Sequence, residues 1–139
     1  ILKQLEPFAQ NFHICPPAIS QAMGTVCIEH YHEFDGLIKH MRSNREIASK
    51  ILSEADNIQI IPNDGAFYIY VKLIDALEDV DSRVAAHNLL HEYGVAITPG
   101  VDFDHSRGNH YLRISYAGTQ SSVRLGLERL MSWLSQTKT

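Results

Sequence analysis

The chain has 139 residues, of which 45% are hydrophobic and 20% charged, with a formal net charge of -4. That composition suits one globular domain able to bury a core and excludes a disordered segment. The mild acidity, with no Lys/Arg cluster, excludes the footprint of a nucleic-acid partner or an anionic membrane, and no apolar run approaches the roughly 18 residues of a membrane span. A soluble, cytoplasmic protein is expected.

Residues 1–16 read as an extended connector that ends in Cys15-Pro16-Pro17 and leads into a helix with proline in its first turn. The chain opens on Ile1-Leu2-Lys3, without an initiator Met or a signal-peptide pattern, which reads as a piece of a longer protein. The two cysteines, Cys15 and Cys27, match neither a zinc knuckle nor a redox CxxC pair. They read as buried thiols in a reducing compartment.

Helical spacing of apolar residues then runs through Ile19, Ala22, Met23, Val26 and Cys27, and again through Phe34, Leu37, Ile38 and Met41. The spacing predicts one long amphipathic helix with a kink or break at Asp35-Gly36, resuming at Ile47, Ala48, Ile51 and Leu52. "NIQIIP" and "AFYIYV" are β-rich runs separated by the turn-forming Asn63-Asp64-Gly65. Ala86, Leu89, Leu90 and Tyr93 mark a further helix that stops at Gly94. "VAIT" predicts a strand before Pro99-Gly100, "HYLRISYAG" another, and Val123, Leu127, Leu130 and Leu134 a closing helix from near Gly118-Thr119. The implied architecture is α+β, a small mixed sheet with helices packed on one side, preceded by the long connecting helix.

In "HYLRISYAG", Leu112, Ile114 and Tyr116 share one face of the strand, whereas Tyr111, Arg113 and Ser115 share the other. A guanidinium on such a face calls for an anion. An α-carboxylate, bound bidentately, would suit it; so would an internal Asp or Glu, or a solvated face. His87 and His91, four apart on a predicted helix, and His30 with His32 open a metal reading. However, "HNLLH" lacks the glutamate of HExxH, and no third ligand can be assigned. No serine sits in a GxSxG turn, no cysteine has a base beside it, and no phosphate loop occurs. Gly65 and Gly100 read as turn glycines supplying positive φ.

Three segments in register, "PNDGAFYIYVKL" (62–73), "EYGVAITPGVDF" (92–103) and "HYLRISYAGT" (110–119), resemble the C-terminal, small-domain part of the aspartate aminotransferase-like enzymes, the pyridoxal-phosphate-dependent family of fold type I. "FAQNFHICPPAISQ" (8–21) resembles the stretch leaving that family's large cofactor domain, and the long helix carrying Arg45 its connection into the small domain. The resemblance implies that residues 1–16 are the trailing end of the large domain, and 17–139 the connecting helix plus the C-terminal substrate domain. It implies that Arg113 binds the α-carboxylate of an amino acid or 2-oxo acid, with Phe67 and Phe103 near the substrate. Residues 10–14, including Asn11, are expected near the partner subunit's site in a homodimer.

The resemblance also implies pyridoxal 5'-phosphate in the full-length transaminase. Lys3, Lys39, Lys50, Lys72 and Lys138 all lack the S-x-S-K context of the family's Schiff-base lysine, so this chain alone is expected to be inactive, with no catalytic residue and no metal site of its own. "QNFHI" holds no arginine for a second carboxylate, which speaks against a dicarboxylic substrate. Three alternatives stand: a related lyase or synthase on the same fold, a non-catalytic α+β module that binds amino acids through Arg113, and a metal-dependent hydrolase using His87 and His91.

Overall fold

A computed structural model describes residues 2–136. The helices are α1 (Leu2–Phe12), α2 (Ala18–Glu29), α3 (Asp35–Leu52), α4 (Ser82–Tyr93) and α5 (Gln120–Gln136), and the strands are β1 (Ile58–Ile61), β2 (Tyr68–Leu73), β3 (Thr98–Pro99) and β4 (Tyr111–Ser115). The chain divides into two compact units, Ile1–Ile38 and Lys39–Thr139.

In the first unit the expected connector is instead largely helical, as α1, with Pro7 inside it. The long helix is interrupted earlier than Asp35-Gly36. After α2 a 3-10 turn covers Tyr31–Phe34, where the Tyr31 and His32 rings lie 3.7 Å apart and His30 pairs with Glu33 at 3.0 Å. Gly36 sits inside α3, where the absence of a side chain breaks nothing. α1 and α2 bury no residue, and Ile19, Met23 and Val26, expected to face a core, are exposed. Cys15 and Cys27 are free and exposed rather than buried, because they lie in this same stretch without a core.

The second unit holds the core. Its sheet has the order β1-β2-β4-β3, and its pairings are antiparallel throughout rather than mixed. β2 alternates: Ile69, Val71 and Leu73 are buried, whereas Tyr68, Tyr70 and Lys72 on the opposite face are only partly covered. On β4, Leu112 and Ile114 are buried, and Tyr116 just beyond it is likewise, as expected. Ala48 and Leu52 of α3, Ala85 and Leu89 of α4, and Val123, Leu127, Leu130, Trp133 and Leu134 of α5 pack with these residues in one cluster. Each fully buried aliphatic side chain contributes about 1.5–3 kcal/mol. Helices thus cover one face of the sheet, and the other carries the aromatic residues and Arg113.

Several local devices fix this arrangement. Asp81 caps α4 by accepting from the Arg83 N–H at 2.8 Å. Gly94 ends it in the left-handed conformation at φ 64°, as a glycine after a helix should. Thr119 caps α5, its hydroxyl accepting from the Ser122 N–H at 3.2 Å. Buried Asn44 of α3 donates to the carbonyls of Tyr116 at 2.9 Å and Gly118 at 2.8 Å, fastening the chain just after β4. The expected strand over "VAIT" is reduced to Thr98–Pro99: the Val95 N–H is committed to the Leu89 carbonyl in the helix cap, at 2.9 Å, and Pro99 brings no N–H to a ladder.

Two expectations for glycine are corrected. Neither Gly65 nor Gly100 has positive φ; the left-handed residue in the β1–β2 turn is Ala66, at φ 63°. Gly100 serves close approach instead. A Cβ there would meet the Gly108 carbonyl oxygen at 2.5 Å, and one on Gly108 would meet the Gly100 carbonyl oxygen at 2.3 Å. The two backbones are in mutual contact, which only paired glycines permit.

Candidate functional site

The open face of the sheet is built by cross-strand register. Tyr70 stands opposite Arg113, Thr98 stands opposite Arg113 on its other side, and Ile61 stands opposite Tyr70. Side chains directly opposite in an antiparallel pair point to the same face, so a row runs Ile61, Tyr70, Arg113, Thr98.

Arg113 is half-buried. Its Cζ lies 4.9 Å from the Tyr68 ring centroid and 4.2 Å from that of Phe103. Nη2 donates a long hydrogen bond, 3.4 Å, to the Thr98 hydroxyl. Among the described residues no Asp or Glu pairs with it. A guanidinium has five N–H donors, and one partly removed from water yet lacking an anion carries an uncompensated desolvation cost. Of the alternatives left open by the sequence, the internal salt bridge is not found among the described residues.

Phe103 reaches Arg113 because the chain from Gly100 to Gly108 is folded tightly over the sheet edge. The Phe103 and Asp104 N–H groups both bond to the Gly100 carbonyl at 3.0 Å, and the Gly108 N–H bonds to the Asp104 carbonyl at 2.7 Å. The Asp104 carboxylate accepts from the backbone N–H groups of Ser106 and Arg107 and from the Arg107 guanidinium at 2.9 Å. The Arg107 backbone bond, reinforced by its side chain and by Ser106, holds the Asp104 carboxyl below the usual carboxylate range. Arg107 is thereby already matched by an acid, whereas Arg113 is not.

Beside this loop the Tyr70 and Tyr111 rings stack at 4.9 Å, nearly parallel at 8°. Burial, with the Asp104 charge and Tyr111 adding to it and Arg107 opposing, raises the Tyr70 phenol above its ordinary value, so it remains a neutral hydroxyl at physiological pH. A cavity of about 340 Å³ is lined by Ile61, Tyr70, Phe103, Asp104, Arg107 and Tyr111. It shares Phe103 with the surroundings of Arg113.

The structure therefore brings Arg113 and Phe103 together. Phe67 is 54% exposed, and its ring meets Tyr68 edge-on at 5.7 Å, one residue removed from Arg113. Asn11 lies in the first unit, exposed on α1, with its amide donating to the Pro7 carbonyl at 2.6 Å. Tyr68 and Thr98 were not singled out from the sequence. Alternation in "AFYIYV" places Tyr68 and Tyr70 on the face opposite Ile69 and Val71, which was a usable signal for Tyr68; Thr98 emerges only with the register of β3. His87 and His91 have ring centroids 4.2 Å apart on α4, but among the described residues no group of three or more His, Cys, Asp or Glu side chains can hold a metal.

No protein-family model matches the chain. It is 39% identical over 126 residues to the valine–pyruvate aminotransferase of Mycobacterium tuberculosis, a match covering 89% of this chain and 32% of that protein. It is 31% identical over 138 residues to the (5-formylfuran-3-yl)methyl phosphate transaminase of Methanocaldococcus jannaschii, covering 98% of this chain and 35% of that protein. The chain is homologous to aminotransferases. Among solved structures, an aminotransferase from Mycobacterium tuberculosis superposes on 96% of this chain with a TM-score of 0.77 at 35% identity, the match covering 35% of that structure. The chain thus spans about a third of the length of the relatives it matches. Among its described residues no helix is long and apolar enough to cross a membrane.

Proposed function

We propose that this chain is the substrate-domain part of a pyridoxal-phosphate-dependent aminotransferase, and that Arg113 binds the α-carboxylate of the amino acid and 2-oxo acid between which an amino group is transferred. One observation carries the proposal: Arg113 is half-buried against two rings on the open sheet face, with no acidic partner among the described residues. A bidentate carboxylate satisfies a planar guanidinium better than water or a single hydroxyl. Phe103 covers one side of the guanidinium, and Phe67, which meets Tyr68 edge-on, is assigned to the substrate's surroundings. Arg113 moves no proton; it orients the bound acid, and such anchoring contributes several kcal/mol to a reaction whose geometry it fixes.

The cofactor, when bound, supplies the electron sink for chemistry at the acid's α-carbon. The lysine and phosphate donors that would hold it are assigned to the protein outside this chain. Lys3, Lys39 and Lys50 are exposed helix residues, and Lys72, half-buried, stands on the open sheet face away from any S-x-S-K segment. Residues 1–16 are then the trailing end of the large domain, and 17–139 the connecting helix plus substrate domain. Asn11 is placed near the partner subunit's site in a cytoplasmic homodimer. The mostly uncovered apolar faces of α1 and α2 agree with surfaces that the rest of such an assembly would cover.

The test is an amino-transfer assay on the full-length protein, supplying a panel of amino acids with a 2-oxo acid acceptor, alongside Arg113→Gln. Amino transfer that Arg113→Gln lowers at least a hundredfold in kcat/KM supports the proposal. No transfer with any amino acid, or an indifferent Arg113→Gln, overturns it.

A further inference from the structure

We propose that Tyr68 and Thr98 are positioning residues that aim Arg113 at the incoming acid; the inference rests on the carboxylate role proposed above for Arg113. An arginine on a four-rotor stem loses little by swinging away from a weak partner, so an effective anion site needs something to hold the fork before the anion arrives. Besides the Phe103 ring at 4.2 Å, two contacts on different strands do this. From β2, the Tyr68 ring lies 4.9 Å from Cζ, a distance at which the ring quadrupole attracts the cation. From β3, the Thr98 hydroxyl takes one Nη2 hydrogen at 3.4 Å. Among the described residues the other N–H donors have no hydrogen-bond partner, which leaves them to a carboxylate.

Tyr68 is itself held. The Phe67 ring braces its edge at 5.7 Å and 81°. Its carbonyl accepts from the Asn63 side chain at 2.8 Å, and the Asn63 carbonyl in turn accepts from Arg45 of α3. A chain of contacts therefore runs from α3 through the β1–β2 turn and Tyr68 to the guanidinium. Thr98 sits on an edge strand opposite Arg113, where exchanging a hydroxyl for a methyl leaves a β-branched residue and the backbone pairing intact.

The experiment uses steady-state kinetics of the full-length protein. Tyr68→Leu and Thr98→Val are each expected to raise KM for the amino acid about two- to fivefold, the fold-change that matches a modest cation–ring attraction or a single weak hydrogen bond, with kcat within about twofold, since the loss is of binding common to ground and transition states. Tyr68→Phe and Thr98→Ser, which keep the ring and the hydroxyl, are expected to restore KM. If Arg113→Gln impairs the enzyme while both Tyr68→Leu and Thr98→Val keep the parental KM, the positioning role is refuted and the carboxylate role stands. If Arg113→Gln is silent, both fall. Should Tyr68→Leu fail to fold, Thr98→Val decides alone.

Discussion

Placing an alanine at Gly108 perturbs the contact on which the loop over Arg113 depends. The added Cβ would stand 2.3 Å from the Gly100 carbonyl oxygen, 2.4 Å from its carbonyl carbon and 2.6 Å from the Val101 nitrogen. All three are backbone atoms, so no flexible side chain can yield, and the two segments must separate by about 1 Å to reach ordinary van der Waals distance. Overpacking of that kind costs about 3 kcal/mol, the upper part of the usual range. With a urea dependence of about 1.3 kcal/mol per molar for a domain of this size, the midpoint should fall by roughly 2 M. Trp133, the chain's single tryptophan and 4% exposed in the core, reports the transition by fluorescence. A Gly108→Ala protein within about 0.5 kcal/mol of the parent, the range of an inconsequential surface substitution, would refute this reasoning and with it the rigid seating of Phe103.

The same titration checks three further substitutions. Gly126→Ala, in α5 with nothing within 4 Å of the added Cβ, is expected to stabilise by about 0.5–1 kcal/mol through helix propensity. Ala66→Gly should stabilise by up to about 1 kcal/mol by relieving a left-handed alanine. Asn44→Ala, which removes the clamp on Tyr116 and Gly118 and opens a void in the core, is expected to cost about 2–4 kcal/mol. A pH titration of the Ser106 and Arg107 amide shifts should show a midpoint below the usual carboxylate range that Asp104→Asn abolishes. Because the Asp104 value is depressed on folding, its contribution is full above the unfolded carboxylate range and is lost as pH falls through the lowered value.

Period-two alternation made the second unit readable. Ile69 and Val71 against Tyr68 and Tyr70, and Leu112 and Ile114 against Tyr111 and Arg113, predict which face is core without any knowledge of the sheet. Strand order and register are long-range properties, so Thr98 beside Arg113 and the antiparallel character throughout were not in the letters. Helical spacing located α4 and α5, whose caps at Asp81, Gly94 and Thr119 carry explicit chemistry. It misled over Ile19, Met23 and Val26, because periodicity marks a face that seeks a partner and not whether this chain supplies it. The break at His30–Phe34 contains no glycine or proline and gave no local warning. Gly100 and Gly108 looked isolated in sequence, since a contact between two backbones eight residues apart leaves no motif.

Carboxylate recognition by Arg113 is tested by comparing an amino acid with its decarboxylated amine as amino donor, in the full-length protein and in its Arg113→Leu variant. The parent is expected to prefer the acid by about a hundredfold or more, as a charge-assisted bidentate pair allows, and Arg113→Leu to erase most of that preference while losing little activity toward the amine. An undiminished preference for the acid in Arg113→Leu would contradict that role.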